Sequence, residues 1–196
     1  ADESTVNVRA GMFSISTMEG TSSSAITIGT AQNAGGLTVG KASLNGANVF
    51  LDPAWKDGGN LVSDASIGVF ESFANGAVDG RFAVGRNSLL VLGDKDSAWA
   101  QKAVQDALDN ADLTWGKDSV TAALAIKSSQ KLSATGALLV DGSLATAPSV
   151  TENTATFAGQ SLLVVNAAAA DGEGALQGDG TSRLSVDGGA KLHIMD

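Results

Sequence analysis

The chain has 196 residues, of which 43% are hydrophobic and 17% charged, so it can bury a core and is not compositionally disordered. Its formal net charge of −9, with Lys and Arg scattered singly, argues against nucleic acid or anionic lipid as a partner. Without cysteine it has no disulfide framework and no thiolate chemistry. Its 24 glycines against two prolines favour many tight turns between short strands.

Short segments of alternating or apolar residues predict strands along the whole chain. Alternation with a period of two places one set of side chains inward and the other outward. The predicted strands outside the repeat described next are Val6–Val8, Met12–Ile15, Ala25–Ile28, Val49–Leu51, Val120–Ile126 and Ser161–Val165.

An internal repeat gives the strongest fold prediction. Each copy reads apolar residue, any residue, Val, then Gly or Asp where the chain turns. Leu37 and Phe82 are about 45 residues apart, as are Leu138 and Leu184, which suggests two turns of a solenoid with a repeat of roughly 20–25 residues. The residues expected to face inward are Leu37, Phe82, Val84, Leu138, Leu184 and Val186.

Two copies of the repeat, at Phe82 and Leu184, continue into a second alternating strand, Leu90–Leu92 and Leu192–Ile194 respectively. Segment 64–75 is ambiguous, because its apolar residues fit both a helical and an alternating pattern. We expect a short helical turn there, ended by Asn75 and Gly76.

The longer gap between Phe82 and Leu138 indicates an insertion, and a helical period appears within it at residues 96–111. Its apolar residues recur at intervals of three and four, with Asp96 or Ser97 able to cap the start. We therefore predict one amphipathic helical insert that lies against a sheet face. The members of its mostly alanine stripe are Ala100, Ala103, Val104, Ala107, Leu108 and Ala111.

These features predict an all-β fold, a right-handed parallel β-helix of roughly eight to ten turns with the helical insert near 96–111. No linker divides the chain, and segment 171–180 is predicted to be a loop. We expect residues 1–196 to form one β-helix segment that continues in the natural molecule, because stacked turns need neighbours to cover their edges.

The runs 77–88 and 113–124 resemble passenger-domain sequence of large enterobacterial autotransporter adhesins, which belong to type V secretion. The tail 182–196, with Leu-x-Val-Asp-Gly-Gly-Ala-x-Leu-x-Ile, is similar to the last passenger turns before the membrane barrel. The resemblance implies a right-handed β-helix exported through the outer membrane of a Gram-negative bacterium and displayed on the cell. The lack of cysteine agrees with that family, whereas the helical insert departs from a plain turn.

His193 is the single histidine, and it alternates with Leu192 and Ile194 in a predicted strand. A catalytic triad would need an activated serine and an orienting carboxylate beside it, and no nucleophile-elbow spacing occurs. We therefore expect an exposed strand histidine and assign no catalytic and no cofactor-binding residue.

The acidic residues offer a weak case for calcium. Groups of carboxylates near the helix and in the glycine-rich loop supply the oxygen ligands that calcium prefers, but they lack known calcium-loop spacings. We expect solvated acidic loops, with weak calcium binding as the alternative and no assigned metal ligand. The residues are Asp94, Asp96, Asp106, Asp109, Asp112, Asp171, Glu173 and Asp179.

A β-helix can also cleave polysaccharides with carboxylates that converge in a groove. The candidates Asp52, Asp57, Asp79 and Asp94 all follow strands, where Asp is first of all a turn former. Aromatic residues make up only 5% of the chain, which disfavours a sugar-binding groove. A lyase or hydrolase fragment remains the enzymatic alternative.

Of the three tryptophans, Trp55 follows Asp52 and Pro53 in a predicted loop and is the candidate for contact with a partner. Trp99 and Trp115 are expected to pack between the insert and the strands.

The sequence thus predicts a non-catalytic, surface-displayed adhesin segment in attachment, aggregation or biofilm formation. The expected partners are a host surface or matrix protein, a glycan, or the same protein on a neighbouring cell, with a membrane barrel C-terminal in the full-length chain. A pure stalk or folding-nucleus segment is the third alternative.

Overall fold

The computed structural model consists mostly of short strands, with a single α-helix among the residues that it describes. Its strands form two sheets of seven strands each, and every ladder in both sheets is parallel. The described residues are 3–30, 32–51, 66–74, 78–85, 88–93, 97–110, 122–126, 137–141, 154–158, 161–166, 183–186 and 190–195.

The two sheets are named sheet A and sheet B. In spatial order, sheet A contains β1 (Thr5–Val8), β3 (Ala25–Ile28), β5 (Asn48–Leu51), β7 (Arg81–Val84), β10 (Ala137–Asp141), β11 (Thr154–Ala158) and β13 (Arg183–Val186). Sheet B contains β2 (Gly11–Glu19), β4 (Gly35–Ser43), β6 (Ser66–Phe70), β8 (Ser88–Leu92), β9 (Ala122–Ile126), β12 (Ser161–Asn166) and β14 (Lys191–Met195). Helix α1 spans Ser97–Asn110.

The chain alternates between the sheets from β1 to β8, placing each odd-numbered strand in sheet A and each even-numbered strand in sheet B. The alternation is broken twice. Helix α1 joins β8 to its neighbour β9 within sheet B, and β10 is followed by its neighbour β11 within sheet A. The insertion predicted between Phe82 and Leu138 is therefore a crossover that carries the helix, and it leaves these two residues as direct register partners.

The core lies between two columns of register partners in sheet A and two in sheet B. In sheet A, one column runs from Val6 to Leu184 and the other from Val8 to Val186. Their members, taken strand by strand, are Val6, Ile26, Val49, Phe82, Leu138, Ala155 and Leu184, then Val8, Ile28, Leu51, Val84, Val140, Phe157 and Val186. Apolar side chains on alternate positions of each strand thus stack into a continuous buried interior.

The matching columns of sheet B run from Phe13 to Leu192 and from Ile15 to Ile194. Leu90 and Leu124 in the first and Phe70 and Leu92 in the second are fully buried. The columns are Phe13, Leu37, Gly68, Leu90, Leu124, Leu163 and Leu192, then Ile15, Val39, Phe70, Leu92, Ile126, Val165 and Ile194.

The pairing of β2 with β4 extends as far as Glu19 and Ser43, with Met18 opposite Ala42, and Ala42 also forms an isolated bridge to Phe73. Phe73 joins an aromatic cluster in the core. Its ring stacks on that of Phe70 at 6.1 Å, and the Phe82 ring meets Phe70 edge-on at 5.1 Å. This cluster connects the two sheets, because Phe70 lies in sheet B and Phe82 in sheet A.

Four of the inward predictions are confirmed, since Leu37, Phe82, Val84 and Leu138 are buried. Leu184 and Val186 are not buried, since they are 53% and 52% exposed. Both occupy core columns, but their strand β13 lies at the end of sheet A and is stacked on one side only among the described strands.

The repeat was also partly misassigned, because Leu37 lies in sheet B whereas the other three copies lie in sheet A.

Segment 64–75 was wrongly expected to form a helical turn, since residues 66–70 form the fully buried strand β6. A strand buried on both faces shows no clear alternation, so its apolar spacing was misleading. Strand β11 was missed, because four of the five residues in Thr154–Ala158 are Thr or Ala.

We expect Gly35→Ala to lower the free energy of unfolding by roughly 3 kcal/mol, because both of its nearest contacts would be backbone. An added Cβ would clash with the Val8 carbonyl oxygen and lie 2.6 Å from the Gly29 nitrogen. Those two atoms already form a hydrogen bond of 2.8 Å, so neither can yield independently. Urea denaturation followed by circular dichroism measures the loss.

The matched control is Gly46→Ala. Gly46 has a φ of 81°, and the nearest atom to an added Cβ is 3.6 Å away. Gly46→Ala should therefore lower the free energy of unfolding by only about 1 kcal/mol, the cost of placing an alanine on left-handed backbone. Equal losses for the two variants would contradict the close approach of backbones at Gly35.

Candidate interaction surfaces

The outer face of sheet A is one continuous ladder of side chains, which we call the lateral face. Its residues pair strand by strand in the order Asn7, Thr27, Phe50, Ala83, Leu139, Thr156 and Ser185. They occupy the positions between the two core columns, so the same register that builds the interior aligns this surface.

The centre of the lateral face is apolar and its flanks are polar. Phe50 and Leu139 are half-buried, and Ala83 between them is 3% exposed. Thr27 and Thr156 flank this centre and are also half-buried. An aromatic ring with a leucine among hydroxyl groups can offer a contact surface with an apolar anchor and a polar rim.

The outer face of sheet B is apolar across four strands, and helix α1 covers it. The sheet side contributes Ile67, Val69, Leu89, Val91, Ala123, Ala125, Leu162 and Val164, all buried. The prediction of an alanine stripe against a sheet is confirmed for Ala100, Ala103, Val104, Ala107 and Leu108. Ala111 lies outside the described residues. Small side chains let the helix approach closely, which is why a stripe that buries little area can still exclude water.

Trp99 packs against the edge of this cluster and is half-buried, as predicted. On the other side of the helix, Lys102 and Asp106 form an exposed salt bridge of 2.5 Å. Gln105 donates a hydrogen bond to Asp109 at 2.9 Å. Asp106 and Asp109, the two helix carboxylates that the structure describes, thus each interact with the residue four positions before them. Such pairs stabilise a helix only slightly.

Asp79, a candidate carboxylate of the enzymatic alternative, organises a turn. Its Oδ1 and Oδ2 accept hydrogen bonds from the Leu44 amide at 3.0 and 3.1 Å, and Oδ2 accepts a further one from the Asn45 amide. Asn45 has a φ of 48°, and its side-chain amide donates to the Gly20 carbonyl at 3.2 Å. The group thus links three successive turns of the chain and fits a structural role.

A column of buried serines was not predicted from the sequence. Ser66 and Ser88 are register partners, and Ser161 lies two strands further along across Ala122. Ser66 Oγ accepts a hydrogen bond from the Gly35 amide at 3.3 Å, and Ser88 Oγ donates to the Leu51 carbonyl at 3.4 Å. The Ser66 and Ser88 hydroxyls therefore satisfy backbone groups at the start of β4 and at the end of β5, whereas Ser161 Oγ is buried without a hydrogen-bond partner among the described residues. The sequence signal was only a serine before each apolar run.

Most of the sequence-predicted site residues lie outside the part of the chain that the structure describes. Trp55 and Trp115 lie outside the described residues. The same holds for the remaining carboxylates weighed for catalysis or for calcium, which are Asp52, Asp57, Asp94, Asp96, Asp112, Asp171, Glu173 and Asp179. His193 lies in β14 at the register position of Val164. Among the described residues, no three His, Asp or Glu side chains come together in a group that could hold a metal ion.

Comparison with known proteins finds no matching family model, no matching curated protein and no matching solved structure. Within the described part of the chain, no helix has the length and apolar character needed to span a membrane.

Proposed function

We propose that the chain is a segment of a right-handed parallel β-helix from the passenger domain of an autotransporter adhesin. The alternation of β1 to β8 between two parallel sheets supports a solenoid, as do the four stacked core columns. The right hand follows from the strong general preference of parallel crossovers. In this proposal the natural protein is exported through the outer membrane of a Gram-negative bacterium.

The proposed activity is non-catalytic contact outside the cell, in attachment, aggregation or biofilm growth. The observation that carries it is the lateral face, a continuous ladder with an apolar centre at Phe50 and Leu139 and hydroxyl groups on both sides. The partner would be a host surface or matrix protein, a glycan, or the same protein on another cell. Trp55 follows β5 by four residues, so we include it with Phe50 as an aromatic anchor.

We expect Phe50→Ala and Trp55→Ala each to reduce attachment of cells that display the segment by about tenfold, as loss of an aromatic anchor does. Attachment is counted on matrix proteins, on immobilised glycans and between the displaying cells. His193→Ala and Asp106→Ala should match the parent, because neither belongs to the proposed surface. Chelation of divalent cations should lower attachment only modestly, through weak calcium binding by the acidic loops.

Other outcomes separate the alternatives. Attachment unchanged by both aromatic variants would refute the lateral face as the contact surface. No attachment by the parent on any surface would instead favour a stalk. Oligosaccharide release from polysaccharides by purified protein, abolished by one Asp→Asn change, would favour the lyase or hydrolase and reject the adhesin.

A further inference from the structure

The turn between β4 and β5 is built on an asparagine followed by a glycine. Asn45 and Gly46 have φ values of 48° and 81°, and the Ala47 amide donates a hydrogen bond of 2.9 Å to the Leu44 carbonyl. Positive φ at both central residues is typical of a type I′ turn, for which Asn-Gly is a preferred pair. Leu44 and Ala47 are fully buried and fix the turn to the core, whereas Asn45 is exposed to water.

Hydrogen bonds connect this turn to the chain on both sides of it. The Asn45 side-chain amide donates to the Gly20 carbonyl at 3.2 Å and to Ser43 Oγ at 3.3 Å. On the other side, the Gly46 backbone amide donates to the Asp79 carbonyl at 2.7 Å, and the Asp79 carboxylate accepts a bond of 3.3 Å from the Asn45 backbone amide. The Asn45 side chain and the Gly46 nitrogen are therefore bonded to different partners.

An asparagine that precedes a glycine is chemically labile, because its side chain is an electrophile next to an accessible nucleophile. The backbone nitrogen of the glycine loses its proton and attacks Cγ of the asparagine, and the bond from Cγ to the side-chain nitrogen breaks with release of ammonia. Water then hydrolyses the resulting succinimide ring to aspartate or isoaspartate. The reaction needs a free glycine nitrogen and a mobile asparagine side chain. In the closed turn both groups are held by hydrogen bonds.

We propose that Asn45 is a latent deamidation site, which is protected while the turn is closed and is converted to aspartate when the turn opens. The new carboxylate has no hydrogen to donate to the Gly20 carbonyl. It also adds a negative charge to the turn that already holds the Asp79 carboxylate. Isoaspartate would in addition lengthen the backbone between Leu44 and Ala47, whose hydrogen bond closes the turn. The reaction therefore prevents the turn from closing again.

The first test compares the folded and the unfolded 196-residue protein in mildly alkaline buffer, without and with urea. Mass spectrometry of proteolytic peptides measures the fraction of Asn45 that is converted over time. We expect conversion to be at least about tenfold slower in the folded protein, because it requires local opening of the turn. Asn75 and Gly76 are the other Asn-Gly pair in the sequence, so the rate at Asn75 in urea calibrates the unfolded chain. Equal rates at Asn45 in both conditions would overturn the proposal.

The second test weakens the turn without touching either reacting group. Asp79→Ala removes the carboxylate that accepts from the Leu44 and Asn45 amides but keeps the backbone carbonyl that holds Gly46. Conversion of Asn45 in the folded variant should be at least about tenfold faster than in the parent, because loss of hydrogen bonds to a charged group makes opening easier.

Circular dichroism checks that the Asp79 variant is folded, and Asp79→Asn, which keeps one acceptor oxygen in place, is the second variant if Asp79→Ala does not fold. Asp106→Ala is the matched control, since that carboxylate lies on helix α1 and pairs with Lys102. It should leave the rate at Asn45 unchanged. A folded Asp79 variant that converts Asn45 at the rate of the parent would contradict protection by the closed turn.

The third test measures the consequence of conversion. Asn45→Asp reproduces the aspartate product, and hydrogen exchange followed by mass spectrometry reports on the Gly46 and Ala47 amides. We expect their exchange to be at least about tenfold faster than in the parent. Asn45→Gly keeps the left-handed backbone, loses the side-chain contacts and adds no charge, so it should fall between the two. Exchange in Asn45→Asp at the rate of the parent would refute the opening of the turn by deamidation. None of these results depends on the proposed adhesion.

Discussion

Val84→Asp is expected to remove most of the stability of the fold. Val84 is fully buried in the column between Leu51 and Val140, its partners in β5 and β10. A carboxylate there would lose its hydration without an ionic partner, at a cost of more than about 4 kcal/mol, when a typical domain has only about 5–15 kcal/mol in total. Denaturant unfolding of the purified protein, followed by circular dichroism, measures the loss.

Val186→Asp is the matched control, because Val186 belongs to the same column and is 52% exposed at the end of sheet A. The same substitution should cost less than about 1 kcal/mol there. Val84→Asn separates the charge from the polarity and should fall between the two aspartate variants. If Val84→Asp unfolds at nearly the same denaturant concentration as the parent, the inward register of β7 is wrong.

The sequence identified strands well wherever apolar and polar residues alternate. Val6–Val8, Ala25–Ile28 and Val49–Leu51 each have one core-facing side and one outward side, so a period of two is visible. The helix was found because its stripe has a different period, and its span of Ser97–Asn110 agrees with the predicted 96–111 apart from the two terminal residues, which lie outside the described range.

The sequence was misleading where a strand is buried on both faces. Strand β6 has the helix cluster on one side and the core on the other, so Ile67, Gly68, Val69 and Phe70 are all buried and alternation disappears.

The sequence also did not predict which sheet each strand joins. Leu37 and Phe82 share a local motif, yet they lie in different sheets. The motif indicates one strand and the turn after it, but not the sheet to which that strand belongs.

The candidate contact surface could be predicted only in part. Alternation indicates that Phe50 and Leu139 point away from the core, but only the register shows that they flank Ala83. That register depends on the crossover through α1, which brings residues 83 and 139 onto adjacent strands. No local sequence signal encodes such a pairing, so Trp55 was the single contact candidate that the sequence offered.

Phe82→Ala is expected to cost about 3–5 kcal/mol, which corresponds to roughly a 10 °C lower Tm for a chain of this size. The Phe82 ring is fully buried and meets Phe70 and Phe73 edge-on at 5.1 and 6.4 Å. Truncation leaves a cavity between the sheets and removes two aromatic contacts. The two remaining rings are not free to fill it, because Phe70 is paired with Val39 in sheet B and Phe73 is bridged to Ala42. Thermal unfolding monitored by circular dichroism gives the Tm.

Phe50→Ala is the control, since Phe50 lies in the neighbouring strand β5 on the outer face and is only partly buried. It makes the same chemical change outside the core, so its Tm should fall by no more than a few degrees. The pair therefore separates the core from the lateral face, with Phe82→Ala losing stability and Phe50→Ala losing attachment while it stays folded. Equal drops in Tm would mean that Phe50 is a core residue, and the lateral face would then lose its apolar centre as a binding surface.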